Sequence, residues 1–488
     1  MIMLRVSPFH EEDLVKGFLM SAACFVFAAA MAATMTVGAQ TSGRSPELSD
    51  HQRSGRDIFR ELIEINTSLT MGSTKAAEAM AARLRAAGFP ENDIQLVGPQ
   101  PQHMNLVARY RGNGAQRPIL FICHLDVVEA LPQDWSFDPF TFLERDGYFY
   151  GRGTTDIKNE AAALVAAFIR LKQEKFTPAC DIIVALTEHE ENGDANGVQW
   201  LLRNRRELID ADFCINPDGG GGEMKNGRHT VMAFQTCEKV YLNYTLEAKN
   251  KGGHSSMPVA DNAIYRLASA LTRLQGLEFP ITLNETTRVS FERSAQQETG
   301  QTRADMLAMA VTPLDMAAAN RLAASSPYYN SMLRTTCVAT MLSGGHAENA
   351  LPQTARANVN CRMLPDDTPE RVLATLQSAV ADTQVSVTCA YASTAGPRSP
   401  LRKDVMDVVE RVTGSMWQGV VVTPIMSTGA TDGKHLRAAG MPVYGVSGMF
   451  ADINNVRAHG RDERIGVKEF YEGLEFMYRF IRALTSKP

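Results

Sequence analysis

The 488-residue chain lacks the marks of several protein classes. Its 49 basic side chains do not exceed its 54 acidic ones, and no basic stripe appears, so nucleic-acid binding has no electrostatic support. None of its 8 cysteines forms a C-x-x-C pair, which removes a thiolate zinc site, and they are too few and scattered for a disulfide scaffold. There is no internal repeat, and no low-complexity segment beyond an apolar run near the N-terminus. With 44% apolar residues, 21% charged residues and 36 Gly, the composition argues against disorder, collagen and coiled coil. The length exceeds what one core usually supports, so two domains are expected.

The apolar run is the first positive signal. Residues 17–35 read GFLMSAACFVFAAAMAATM, follow Lys16, and lead to small residues at Val37-Gly38-Ala39. This predicts a signal peptide over 1–39 with cleavage after Ala39. A retained anchor is the alternative, because the run nearly spans a bilayer. Glu11, Glu12 and Asp13 are unusual before such a run and allow translation to start at an internal Met. After Ala39 no run reaches spanning length, so the expected product is periplasmic or secreted, with no membrane attachment after cleavage. Cleavage removes Cys24. Cys123, Cys214, Cys237, Cys337, Cys361 and Cys389 lie in or beside predicted strands and read as small buried apolar residues. At most one or two bridges are expected, with Cys180 the loosest candidate.

From residue 49 the pattern alternates. Helical spacing over 49–66, 74–88, 157–174 and 195–209 is interleaved with short β-branched runs at 119–123, 181–186 and 212–216, which predicts an α/β layer with a mostly parallel sheet flanked by helices. Near residue 239 the character changes. VYLNYTLEA, TTCVATMLSGG, ARANVNCRML and VSVTCAYA alternate like half-exposed strands, with helices at 261–275 and 369–382 and a polar segment to about 330. That is an α+β antiparallel sheet inserted into the first layer, which resumes with helices at 401–413 and 466–485. The expected division is a catalytic domain in two parts, 40–239 and 395–488, around an inserted domain at 240–394.

The chemistry gathers where the predicted parallel strands end. ILFICHLDVVE places His124 and Asp126 on one side of extended chain; alone, this is an ordinary polar strand end. GRGTTDIKNE puts Asp156 after a glycine turn and before a helix, where an N-cap is the simpler reading. DIIVALTEHEENGD then ends in Glu188, Glu190 and Glu191, carboxylates that repel unless a cation or solvent relieves them. DFCINPDGGGG ends in Asp218 before four glycines. This rim is where open α/β sheets bind ligands. A set of His and carboxylates without cysteine suits zinc or a similar divalent ion, and the surplus of carboxylates suits two metals sharing a ligand. A second histidine is needed. His459 lies in a loop before the last helix; His435 competes, and its helix-like setting favours a structural role.

These segments resemble a known family, the co-catalytic zinc hydrolases that include aminoacylase, acetylornithine deacetylase, succinyl-diaminopimelate desuccinylase and carboxypeptidases G and S. ICHLDVV, GRGTTDIKNE, a strand followed by EENG, GGHSSMP, ENALPQTARANVNCRMLP, STGATDGKHL and AHGRDE occur in the family's order between about residues 55 and 485, and GGHSSMP looks nearest the carboxypeptidase S-like branch. The resemblance implies a zinc-exopeptidase fold with a lid and dimerisation insert. It implies two zinc ions per subunit, with Co2+ or Mn2+ as substitutes, bridged by Asp156. His124 and Asp218 would complete one site, Glu191 and His459 the other. Glu190 would be the general base acting on a water whose pKa the zincs lower, and Asp126 would bond the far nitrogen of His124. His254 would enter the neighbouring subunit's site to polarise the scissile carbonyl, while Arg362, with Asn349 nearby, would hold a substrate carboxylate. For His254 a turn residue, and for Arg362 a surface strand residue, are the plainer readings. Asp218 stands where relatives often have Glu. The stretch 276–335 is longer than in small members, which leaves open whether it reshapes the pocket or blocks the dimer.

The sequence therefore predicts an exported di-zinc hydrolase, a homodimer through its insert, cleaving an amide next to a free carboxylate in a small peptide or N-acyl amino acid. Competing readings are a single-metal enzyme and a periplasmic binding protein that no longer turns over.

Overall fold

The strands Ile119–His124 and Ile182–Thr187 are buried at every position, as fits parallel strands covered on both faces. In the computed structural model, which describes residues 47–192, 195–390 and 394–486, they form the centre of a six-stranded sheet. The predicted signal segment, with Cys24, lies outside the described residues. Ile119–His124 runs parallel to Ile182–Thr187 on one side and to Phe213–Ile215 on the other, and Val443–Tyr444 extends the parallel part. Ile94–Gln100 and His103–Tyr110, which the sequence pattern does not single out, close one edge antiparallel.

Alternation along a strand decides which core each side chain joins. Ile119, Phe121 and Cys123 enter a cluster with the helices Asp50–Glu64, Lys158–Gln173 and Val467–Thr485; Leu120 and Ile122 enter one on the opposite face with Val198 and Leu201. The helix bounds fall close to those predicted, except that 195–209 is divided into Gly197–Asn204 and Arg206–Ile209. This is an α/β fold in which three strand ends (His124, Thr187 and Ile215) open onto one rim.

Val240–Lys249 alternates buried and partly buried positions and sits in a separate antiparallel sheet, between Thr354–Met363 and Val385–Cys389, with Thr336–Gly344 at the edge. Its buried face packs on the helices Ala263–Gln275 and Pro369–Val380. A two-stranded ribbon pairs Gly253–His254 with Ala350–Leu351.

Two expectations need correction. The polar segment before residue 330 contains four helices, Glu285–Ser294, Gly300–Ala308, Met316–Ser325 and Pro327–Leu333. Side chains of Asn284, Asp315 and Ser326 cap three of them, and sparse apolar residues such as Phe291, Met306, Leu322 and Leu333 bury together against Cys237 and Met426. Their polar faces hide that stripe in the sequence. The insertion leaves most of the edge strand Thr336–Gly344 exposed. The second correction is sulfur. Cys337 and Cys361, read as buried thiols, form a disulfide, because the register of their strands places them directly opposite. Cys180 is a buried thiol, like Cys123, Cys214 and Cys237, while Cys389 is exposed.

A cross-link between residues this far apart removes freedom from the unfolded chain. Replacing both Cys337 and Cys361 by Ala is expected to destabilise the antiparallel sheet by about 2–4 kcal/mol. Amide exchange is expected to quicken in Thr336–Gly344 and Thr354–Met363 and stay unchanged in Ile119–His124; unchanged protection in the first two strands contradicts this.

Candidate metal centre

Each strand end delivers one group. His124 closes the central strand, and its Nδ1 lies 2.9 Å from the main-chain carbonyl of Asp126. That contact places the ring proton on Nδ1 and leaves Nε2 as a ligand atom. The Asp126 carboxylate stands 3.7 Å from the same nitrogen and is used elsewhere: its two oxygens accept the N–H groups of Glu190 and Glu191, each at 3.1 Å. The resemblance implied a contact with the imidazole; the structure gives the carboxylate the backbone of the next turn instead, and the imidazole takes the carbonyl. Asp126 lies past the end of the strand, and the two N–H donors hold its carboxylate toward the neighbouring turn.

Asp156 follows a tight turn in which Gly153 has φ +89 and a side chain would collide with Lys158 and Val127. One Asp156 oxygen is 3.2 Å from His124 Nε2, and the other is 2.9 Å from His459 Nε2. His459 Nε2 is also 2.9 Å from Glu191. Ligand atoms of His124, Asp156 and Glu191 lie within 4.8 Å of one another. Asp218 lies in the turn Pro217–Gly219, just past the strand Phe213–Ile215, and is close enough for its charge to act on His124.

The electrostatics explain why these groups need cations. Burial opposes a charge on His124, yet its hydrogen bond to Asp156 and the nearby Asp126, Asp156 and Asp218 carboxylates outweigh that and raise its pKa well above the usual value. Hydrogen bonds to Asp156 and Glu191 push His459 up to about 10. Burial pushes Asp218 up to about 7, with Asp156 and Asp432 adding to it against the pull of His124. Glu190 is raised well above the carboxylate range by burial and by Asp218. Two imidazoles whose charged form is favoured thus stand among carboxylates that outnumber them. Divalent ions between the same atoms meet that demand, and mixed imidazole and carboxylate donors suit zinc-class metals. The donor set fits a metal pair.

The other expected residues are placed as follows. His435 is buried, 3.2 Å from Gln199, and burial lowers it to about 3, in keeping with a structural role. His254 and Asn349 come together on the short ribbon, where the Ser255 N–H donates to the Asn349 carbonyl; both residues are exposed, and the N–H of Ser256 donates to His254 Nδ1. Arg362 lies at the opposite end of its strand from that ribbon, with its guanidinium 4.6 Å from the Tyr241 ring centroid. The hydrogen bonds of the His254 ring go to Ser256 and not to a metal-ligand candidate of its own chain.

Two residues of the rim escaped the sequence reading although their motifs were noticed. Glu463, fully buried, accepts N–H bonds from Gly153, Thr155 and Asp156 at 3.1, 2.7 and 3.2 Å and pairs with Arg152 at 2.7 Å. It thereby ties the Asp156 turn to the loop that carries His459. Asp432, also buried, accepts from Asn196 and from Thr187 Oγ1. The only sequence signal for either was its position inside AHGRDE or STGATDGKHL.

Residues 120–483 match the peptidase family M20/M25/M40. Human N-fatty-acyl-amino acid synthase/hydrolase PM20D1 is 29% identical over 377 residues, covering 75% of this chain and 74% of the relative. The probable carboxypeptidase S-like 2 of Dictyostelium discoideum is 25% identical over 391 residues, covering 78% and 74%. Among solved structures, the M20 family metallo-carboxypeptidase Sso-CP2 of Sulfolobus solfataricus matches with a TM-score of 0.67 at 17% identity, covering 90% of this chain and all of that one.

Groups that orient ligands usually govern affinity nearly as strongly as the ligands do. Glu463→Gln is expected to weaken zinc binding roughly 10–100-fold, measured by competition with a chelator. Unchanged affinity contradicts the role given to Glu463.

Proposed function

The chain belongs to peptidase family M20/M25/M40, and from that premise we propose an exported di-zinc amidohydrolase that cleaves an amide bond next to a free carboxylate. Its substrates are dipeptides, short peptides or N-acyl amino acids. The observation that carries this reading is the Asp156 carboxylate, which turns one oxygen to His124 and the other to His459. That arrangement suits a carboxylate shared by two ions, with Asp218 beside His124 and Glu191 beside His459. The bound pair supplies Lewis acidity and an activated water.

The chain's own residues do the rest. Burial and the nearby Asp218 raise the pKa of Glu190, which makes its carboxylate a stronger base, so the ionised form can take a proton from the attacking water and then give it to the leaving amine. Asp126 fixes the backbone on which Glu190 rides. Arg362 offers a guanidinium fork for the substrate carboxylate. The names of the human and Dictyostelium relatives support both acyl-amino-acid and peptide substrates.

His254 enters the reaction from a second copy, and Asn349, which the resemblance set near Arg362, lies instead beside His254 on the ribbon. The support is their exposed ribbon, beyond the end of the strand Thr354–Met363 opposite to Arg362, and the exposed edge strand with Val338, Met341 and Leu342 at 61%, 71% and 70% exposure. An unpaired edge with apolar side chains invites a partner. Export is supported by the apolar run at 17–35 and by the Cys337–Cys361 bridge, since disulfides persist in oxidising compartments. Among the described residues no helix is long and apolar enough to cross a membrane. A binding protein without turnover is not favoured, because the base and every ligand position are filled.

Glu190→Gln is expected to lower kcat about 10²–10⁴-fold on a panel of dipeptides and N-acyl amino acids, with zinc content unchanged; equal rates in both proteins sink the mechanism. Leu342→Glu is expected to yield monomers in sedimentation that bind zinc but turn over poorly. Dimers, or fully active monomers, would refute delivery of His254 from a second copy.

A further inference from the structure

A second cluster of ligand-type side chains lies one residue away along the chain from the catalytic turn and shares no residue with the proposed pair. His103 opens the strand His103–Tyr110, and Glu188 and His189 follow the strand Ile182–Thr187. Their ligand atoms lie within 4.8 Å of one another. Glu188 is fully buried; His189 is 7% exposed, and His103 is partly buried.

The Glu188 carboxylate is the focus. One oxygen accepts the Ser73 N–H at 2.9 Å. The other is approached at once by His103 Nδ1 and by His189 Nε2, the latter at 2.9 Å. A hydrogen bond is made by His103 alone. Both ring nitrogens of His189 lack a hydrogen-bond partner although the ring is buried and Nε2 points at the oxygen. The Ser73 hydroxyl is buried and without a partner as well. His189 holds a left-handed backbone, φ +58, which a non-glycine residue adopts when its surroundings fix it. His189 Nε2 therefore sits within reach of the oxygen without making a hydrogen bond, whereas a metal ion would accept a lone pair from each of the three residues.

We propose that His103, Glu188 and His189 form a third metal site, structural in role, for a zinc-class divalent ion. Two imidazoles and a carboxylate are a familiar zinc donor set, and the partly exposed side of His103 leaves room for water as the fourth ligand. A tetrahedral ion with ligand bonds of about 2.0–2.1 Å spaces its donors roughly 3.3 Å apart, so His189 Nε2, now 2.9 Å from the carboxylate oxygen, needs a small outward movement and His103 Nδ1 a larger one. The ion would join the start of the strand His103–Tyr110, second from the sheet edge, to the turn that carries Glu190 and Glu191. This proposal does not depend on the co-catalytic pair.

Zinc per chain, measured by plasma mass spectrometry at a buffered free zinc concentration, tests it on the full-length protein. Three ions are expected in the wild type and two in His103→Gln or His189→Gln. The variant His124→Ala/His459→Ala is expected to keep one ion, which an added His103→Gln removes; this arm decides even if a single variant folds poorly. A zinc-free His124→Ala/His459→Ala protein, or a His103→Gln protein with undiminished zinc, overturns the site. If His124→Ala/His459→Ala loses a single ion from a total of two, and His103→Gln also loses one, the third site stands and the paired reading fails.

Discussion

Asp156 offers one carboxylate oxygen to each of two histidines, and much of the rim is arranged to keep it there. A carboxylate in that position, with Glu190, Glu191 and Asp218 close by, is tolerable only if positive charge sits among them. In the structure the raised pKa values of His124 and His459 record that demand, since protons on the imidazoles are the available cations. A pair of divalent ions answers the same demand with the same atoms.

The fold makes this concentration of charge affordable by anchoring it on buried strands. His124 is the last residue of a fully buried strand, and the Glu190 turn follows the next strand in the sheet. Asp126 then links the two strand ends through backbone N–H groups, and Glu463 links the Asp156 turn to the His459 loop. Both carboxylates are spent on N–H donors and so are not competing ligands. The architecture separates acidic groups that bind backbone from the acidic groups that the proposed metal pair would use.

Much of this was legible in the sequence. The β-branched runs before His124 and Glu188 announced buried parallel strands, and three strand ends bearing carboxylates announced the rim. What was not legible depends on partners distant in sequence. Glu463 and Asp432 are acidic residues in loops, and nothing local tells that backbone donors surround one and Asn196 the other. The Cys337–Cys361 bridge follows from the register of two strands, which no spacing rule supplies. The helices between 285 and 333 carry narrow apolar stripes that read as polar until their shared core is seen. His103 lies far from Glu188 in the chain and in an unremarked strand, so their meeting belongs to the fold alone.

The central claim is that the Asp156 carboxylate is shared between two metal ions. Anomalous scattering at the zinc edge from crystals of the zinc-loaded protein tests it directly. The account predicts two peaks flanking Asp156, one beside His124 and Asp218 and the other beside Glu191 and His459. A single peak there, or peaks that leave Asp156 outside the coordination sphere, would contradict it.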